Sequence, residues 1–231
     1  MHLKLEVLDD ADAVARRGAA QVAECAREAV RARGRFLFAV SGGHTPWAML
    51  AMLAAEDVPW EHLELFQIDE RVAPAGDPDR NWTQLAKSLL GRVSLAPERL
   101  HPMPVEDADL EAAASRYAAA LARAGGAPPV LDLAHLGLGP DGHTASLVPG
   151  DPVLDVQGAD VALAGPYQGR RRMTLTFPAL DRARSVLWLV TGADKREMLP
   201  RLLRGDRSIP AGRVRQDAAL LLADRAAAGP A

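Results

Sequence analysis

Apolar residues in this chain fall into short continuous blocks, separated by longer stretches in which they recur every three or four positions. The blocks predict strands over 3–8, 36–40, 63–68, 130–136, 161–164, 185–191 and 218–222. Between the first two, a helical period predicts a long alanine-rich helix that Asp9 or Asp10 can cap and Gly34 stops. Pro46 suits the first turn of a second helix running to about Ala55. Further helices are expected over about 82–90, 108–124 and 195–203, the last kinked or delayed by Pro200, whereas Asp69 to Arg80 reads as a polar loop. Uninterrupted apolar strands alternating with helices predict an α/β fold: a three-layer αβα, Rossmann-like arrangement with a mainly parallel sheet and helices on both faces. No composition shift marks a linker, so the expectation is a single domain over 1–231.

Composition narrows the choice of partners. A net charge of −3 gives no electrostatic reason to expect nucleic acid or an anionic membrane surface. Arg170-Arg171-Arg172 is locally basic, but without interleaved aromatics it reads as a solvated turn or a small-anion site. The first twenty residues carry Lys4, Glu6, Asp9, Asp10, Asp12, Arg16 and Arg17, and no run approaches 18 apolar residues, so the expected location is the cytosol. The single cysteine, Cys25, is spaced with Val22 and Ala29 on one helix face and reads as a small core residue, not a nucleophile.

The segment Gly137 to Gly150 is the most informative part of the chain, because it follows an apolar strand and delivers one imidazole, His143, from a glycine-rich turn. Gly137, Gly139 and Gly142 also satisfy the spacing of a dinucleotide-binding loop. Such a loop must open a helix of several turns and be followed by a strand ending in an acid. Here Pro149, Gly150 and Pro152 interrupt any helix, and Asp160 begins the next apolar run instead of ending it. An active-site loop at a strand's carboxyl end is the better reading.

Two other loops are placed at the same edge. Ser41-Gly42-Gly43-His44-Thr45-Pro46 joins a strand to a helix, and its free amides, hydroxyls and helix dipole make a phosphate cradle without the lysine of a nucleoside-triphosphate loop. Asp69-Glu70-Arg71 follows the third strand, where Arg71 offers a planar fork to phosphate, and Asn81 can reach back over this edge. Arg172 precedes the alternating stretch Met173 to Thr176 and can close a basic wall opposite Arg71. His2, His44, His62, His101 and His135 are isolated, with no metal-ligand spacing, so no catalytic metal is expected.

Together these loops resemble the 6-phosphogluconolactonase family, within the glucosamine/galactosamine-6-phosphate isomerase superfamily. The matching pieces are Ser41-Gly42-Gly43 with Thr45-Pro46, Asp69-Glu70-Arg71 with Pro74 and Asn81, Gly137 to Gly150, and Arg172 to Thr176 with Pro178 and Leu180. The tail matches as well, in Thr191-Gly192, Lys195, Ile209-Pro210-Ala211 and Asp224 to Ala227. Val72-Ala73-Pro74, Arg80 before Asn81, and Val148 depart from the usual pattern, the first two being expected to alter the wall of the sugar site.

The resemblance implies cofactor-free hydrolysis of 6-phospho-D-glucono-1,5-lactone to 6-phosphogluconate in the oxidative pentose phosphate pathway. The residue chemistry then assigns His143 as general base, oriented by Asp141. Ser41, Gly42, Gly43, Thr45, Arg71, Asn81 and Arg172 hold the phosphate, while the loop glycines Gly137, Gly139 and Gly142 stabilise the oxyanion. The expected partner is a small sugar-phosphate lactone, and the expected assembly a monomer or weak homo-oligomer. Two alternatives remain at this point. An amino-sugar phosphate deaminase or isomerase would follow the histidine with an acid-bearing stretch, and Thr144 to Pro149 contains no carboxylate. A non-catalytic sugar-phosphate sensor would carry a fused DNA-binding region or lack the base, and this chain retains His143.

Overall fold

The computed structural model describes residues 3–229 of the chain, leaving His2 outside. In chain order the elements are β1 (Lys4–Leu8), α1 (Ala11–Arg33), β2 (Phe36–Val40), α2 (His44–Leu53), β3 (Leu63–Gln67), β4 (Asp69–Arg71), α3 (Asn81–Leu85), β5 (Leu100–His101), α4 (Leu110–Gly125), β6 (Leu133–Gly137), β7 (Val161–Tyr167), β8 (Arg170–Leu175), α5 (Phe177–Asp181), β9 (Ser185–Val190), α6 (Met198–Leu203), β10 (Ala219–Asp224) and α7 (Arg225–Ala228). Seven strands form one sheet in the order β1-β10-β9-β6-β2-β3-β5, and every pairing in it is parallel.

Local chemistry sets the element ends. Asp10 caps α1 by accepting from the Ala13 amide at 2.8 Å, and Gly34 ends it with φ 72°, a left-handed turn closed by its amide on Val30. The buried stripe of α1 is Val14, Ala15, Gly18, Ala19, Val22, Ala23, Ala26 and Ala29, small residues that bring the helix close to the sheet. Phe36, Phe38 and Val40 point into the core under α1 and α2, and Leu37 and Ala39 into the core on the other face. All five residues of β2 are buried, each large one contributing roughly 1.5–3 kcal/mol of apolar transfer free energy. Cys25 is half-buried among residues packed against the α1 side, and burial pushes its thiol up, as an inert structural cysteine requires.

The expected three layers are present, with one addition. Strands β4, β8 and β7 form a separate antiparallel sheet over the face that α4 also covers. Asp69 to Arg71 is therefore a strand and not the start of a loop, and the strand read over 161–164 extends to Tyr167 and turns back as a hairpin. The ladder of β6 starts only at Leu133, because Asp132 turns its carboxylate onto the Leu37 amide and Arg33. The helix expected from residue 82 begins at Asn81 and continues as a π-turn over Ala86–Leu90. Its start is fixed by the buried Glu70 carboxylate, which accepts the amides of Asn81 and Trp82 at 2.8 Å each. Pro200 delays α6 as expected, lying in its first turn, where a missing amide costs nothing.

Candidate active site

Strands β2 and β6 are neighbours in the sheet, yet the chain leaves β2 toward β3 and β5 and leaves β6 toward β9 and β10. Their carboxyl ends diverge there, opening a crevice of the kind in which open α/β sheets bind ligands. A cleft of about 240 Å³ occupies this place, and its walls include Ser41, Gly42, Gly43, Asp69, Arg71, Asn81, Gly137, Gly139, His143, Tyr167, Arg172 and Lys195. Of the residues singled out in the sequence, the structure thus brings together the Ser41 loop, Arg71, Asn81, Arg172 and the histidine loop.

The histidine loop is built for one geometry. His143 Nδ1 lies 2.5 Å from Asp141 Oδ1, and the His143 amide donates to the same oxygen at 3.1 Å. Burial acts to raise the Asp141 pKa, but the His143 amide and the imidazole outweigh it and hold the carboxyl below its ordinary value. An ionised Asp141 fixes the proton on Nδ1 and leaves Nε2 as the basic lone pair. Gly139 is required by proximity, since a Cβ there would stand 2.0 Å from His143 Nδ1. At Gly142 a φ of 83° and a Cβ 2.7 Å from Ile209 exclude a side chain.

These distances correct one expectation. The Gly139 amide donates to the His143 carbonyl at 2.8 Å and the Gly142 amide to the Gly139 carbonyl at 3.0 Å, so neither is free for an oxyanion. Gly137 contributes wall surface at the end of β6. Thr45 is a second correction. The cap of α2 is Gly43, and Thr45 turns its buried hydroxyl onto Thr191 at 2.6 Å instead of lining the cleft. Arg80 is the third: it is buried against Glu70 and Glu106, away from the sugar wall.

The opposite wall is cationic. Arg71 of β4 and Arg172 of β8 are direct cross-strand partners. The Val72 amide donates to the Arg171 carbonyl at 2.9 Å, so the arginines occupy a non-hydrogen-bonded pair, the arrangement with the closest side chains. Like charges so placed repel. Arg71 donates to Asn81 Oδ1 at 2.6 Å and Arg172 to Tyr167 O and Gln168 Oε1 at 3.4 and 3.5 Å, all neutral acceptors. Among the described residues neither arginine forms a salt bridge, and the buried Arg172 Nε has no partner. Burial lowers the Arg172 pKa from its usual value, against an opposing pull from the Asp69 charge and with a smaller push from Arg71. Two guanidiniums without a salt-bridge partner among the described residues thus face one cleft, an arrangement whose charge suits an anion.

Asp69 joins the two walls. Its oxygens accept from Ser41 Oγ at 3.0 Å and Ser146 Oγ at 2.7 Å, tying the loops after β2 and β6 to β4. Gly42 lets the Ser41 loop pack against Asn81, since a Cβ there would meet Asn81 Oδ1 at 2.0 Å. His135 lies beneath, fully buried on β6, and accepts the Ser41 amide through Nδ1 at 3.3 Å. Sequence reasoning did not place Tyr167 or Lys195 in the site. Lys195 was within reach of it, since it follows the carboxyl end of β9 by the same logic that marked Ser41 and Asp69. The described residues contain no group of three or more histidines, cysteines or carboxylates that could hold a metal ion, and no helix long and apolar enough to cross a membrane.

Fold and cleft define the class: an α/β protein with a paired-arginine wall and a histidine–carboxylate pair at the carboxyl edge of a parallel sheet. The chain belongs to the family described as glucosamine-6-phosphate isomerases/6-phosphogluconolactonase, whose model matches residues 9–222. It is 40% identical over 176 residues to a 6-phosphogluconolactonase of Synechocystis, covering 74% of this chain and 73% of that one. It is 33% identical over 236 residues to a 6-phosphogluconolactonase of Nostoc, covering 99% and 98%. The crystal structure of 6-phosphogluconolactonase from Thermotoga maritima superposes with a TM-score of 0.86 at 25% identity, covering 96% of this chain and 99% of that one.

Proposed function

We propose that the protein hydrolyses 6-phospho-D-glucono-1,5-lactone to 6-phosphogluconate, the lactone step of the pentose phosphate pathway. The observation that carries this reading is the cleft itself, where an unneutralised arginine pair faces a histidine whose Nδ1 is held by a carboxylate. Arg71, Arg172 and the Ser41–Gly43 loop hold the phosphate, and its binding energy positions the lactone carbonyl. His143 Nε2 takes a proton as water attacks that carbonyl. The tetrahedral alkoxide then collapses, the bond from the carbonyl carbon to the ring oxygen breaks, and the imidazolium returns its proton to that oxygen. The Gly139 and Gly142 amides are committed within the loop and take no part in stabilising that alkoxide.

The isomerase branch of the family is disfavoured by the placement of acids. Thr144 to Pro149 contains no carboxylate, and both oxygens of Asp69, the acid on the cleft wall, accept hydroxyls. The test is to generate the phospholactone in situ by oxidation of glucose 6-phosphate and follow proton release with and without the protein, in the presence of a chelator. Release well above the spontaneous rate, with no ammonia liberated from glucosamine 6-phosphate, is the expected result. A spontaneous rate, or ammonia release, overturns it.

A further inference from the structure

The β7–β8 hairpin turns through Gln168 and Gly169, both left-handed at φ 53° and 79°, with Tyr167 and Arg170 paired at its base. A non-glycine residue in that region is strained, and a register shift between Ala164 and Tyr167 further re-aims the strand. The result is that Tyr167 projects into the cleft between its two halves. Its ring centroid lies 5.2 Å from the Arg172 guanidinium carbon, a cation–π contact. The same ring meets the His143 imidazole edge to face, with centroids 5.1 Å apart at 63°. Its hydroxyl makes a long hydrogen bond, 3.4 Å, to Asp141 Oδ2, the carboxylate oxygen that His143 does not use.

Resting on the lactonase reading, we infer that Tyr167 is a positioning residue that couples the anion grip to the base, fixing Arg172 through its ring and the Asp141–His143 pair through its ring edge and hydroxyl. The two functions are separable by chemistry. The ring face serves Arg172, so Tyr167→Phe keeps the grip and Tyr167→Leu loses it. The hydroxyl serves Asp141, so both substitutions lose it. A hydrogen bond to Oδ2 withdraws charge from the carboxylate, and its removal makes Asp141 a stronger partner for the imidazolium. The other charged groups on this cleft, Asp69, Arg71, Arg172 and Lys195, are the same in both variants.

Two measurements need no turnover. The His143 Nδ1–H proton resonance, read by NMR, is expected to move downfield in Tyr167→Phe as the freed Asp141 carboxylate accepts more strongly. Inorganic phosphate binding by calorimetry is expected to weaken about fivefold in Tyr167→Leu and to stay within about twofold in Tyr167→Phe. In steady-state assays Tyr167→Phe should lower kcat with KM unchanged, and Tyr167→Leu should also raise KM for the phosphorylated lactone. A His143 Nδ1–H resonance in Tyr167→Phe that superposes on the wild-type one overturns the coupling, as does unchanged phosphate affinity in Tyr167→Leu or a wild-type protein that binds no phosphate. Wild-type protein that binds phosphate without accelerating lactone hydrolysis would instead remove the lactonase reading, while the NMR and calorimetric arms still decide the role of Tyr167.

Discussion

Burial of His135 should make the protein acid-labile in a calculable way. The imidazole is fully buried, and desolvation pushes it down to about 3 from an ordinary value of 6.5. Above pH 6.5 the residue is neutral both folded and unfolded and contributes no pH dependence. As pH falls from 6.5 toward 3, the unfolded chain binds a proton that the native state refuses, and stability drops by about 1.4 kcal/mol per pH unit. At pH 5 the loss from this one residue reaches about 2 kcal/mol, a large share of the 5–15 kcal/mol typical of a domain. His135→Asn removes the titration while retaining an acceptor near the Nδ1 position for the Ser41 amide. Its smaller volume costs stability equally at both pH values. Urea unfolding followed by tryptophan fluorescence at pH 8 and pH 5 should show that the wild-type protein loses about 2 kcal/mol more between them than the variant does. Equal losses in the two proteins would mean that His135 is charged in the native state or solvated, and the burial argument would be wrong.

Three further outcomes test the site. His143→Ala should lower kcat by roughly 10² to 10⁴ while 6-phosphogluconate still binds by calorimetry, and near-normal turnover would remove the histidine from the mechanism. Arg71→Ala and Arg172→Ala should each cost about one to two decades in kcat/KM on the phosphorylated lactone and little on gluconolactone, because charge-assisted hydrogen bonds of about 1.5–3 kcal/mol are used by the phosphate alone. Equal fractional losses on the two lactones would instead assign these arginines to the carbonyl or the scaffold. Gly139→Ala, whose Cβ would stand 2.0 Å from His143 Nδ1, should cut kcat at least about tenfold with phosphate binding intact, and a fully active variant would refute the proximity argument.

The main sheet was legible because its strands are buried on both faces, so Phe36 to Val40 and Ser185 to Val190 read as uninterrupted apolar blocks. The small sheet was not. Asp69-Glu70-Arg71 is a three-residue charged strand, stabilised by pairing with β8 and by the amides that Glu70 caps, neither of which leaves a period in the sequence. The hairpin that presents Tyr167 turns on Gln-Gly, a weaker signal than Asn-Gly or Asp-Gly, and its two strands follow one another with no helix between them. At the site, chemical type was readable and commitment was not. Glycine spacing marked the loop, but only coordinates distinguish an amide aimed at a ligand from the Gly139 amide turned onto His143, or a cradle hydroxyl from Thr45 turned onto Thr191.

The division of the cleft between two sheets has a mechanistic consequence. His143 is carried by the loop after β6 of the parallel sheet, and the arginine pair by β4 and β8 of the antiparallel one. Holding a substrate at both ends therefore requires the two layers to keep a fixed distance. Asp69 supplies one tie, through serines from both loops, and Tyr167 supplies another. A cyclic ester is already activated, so its hydrolysis needs one proton shuttled at one imidazole. Ring opening and isomerisation of an amino sugar would need a further acid or base at the carbon skeleton. In this cleft the carboxylates are already engaged, Asp69 by two serines and Asp141 by His143. The acids of the cleft are thus engaged in holding its two walls and its loop together, and the histidine is the group left to serve as base in the proposed hydrolysis.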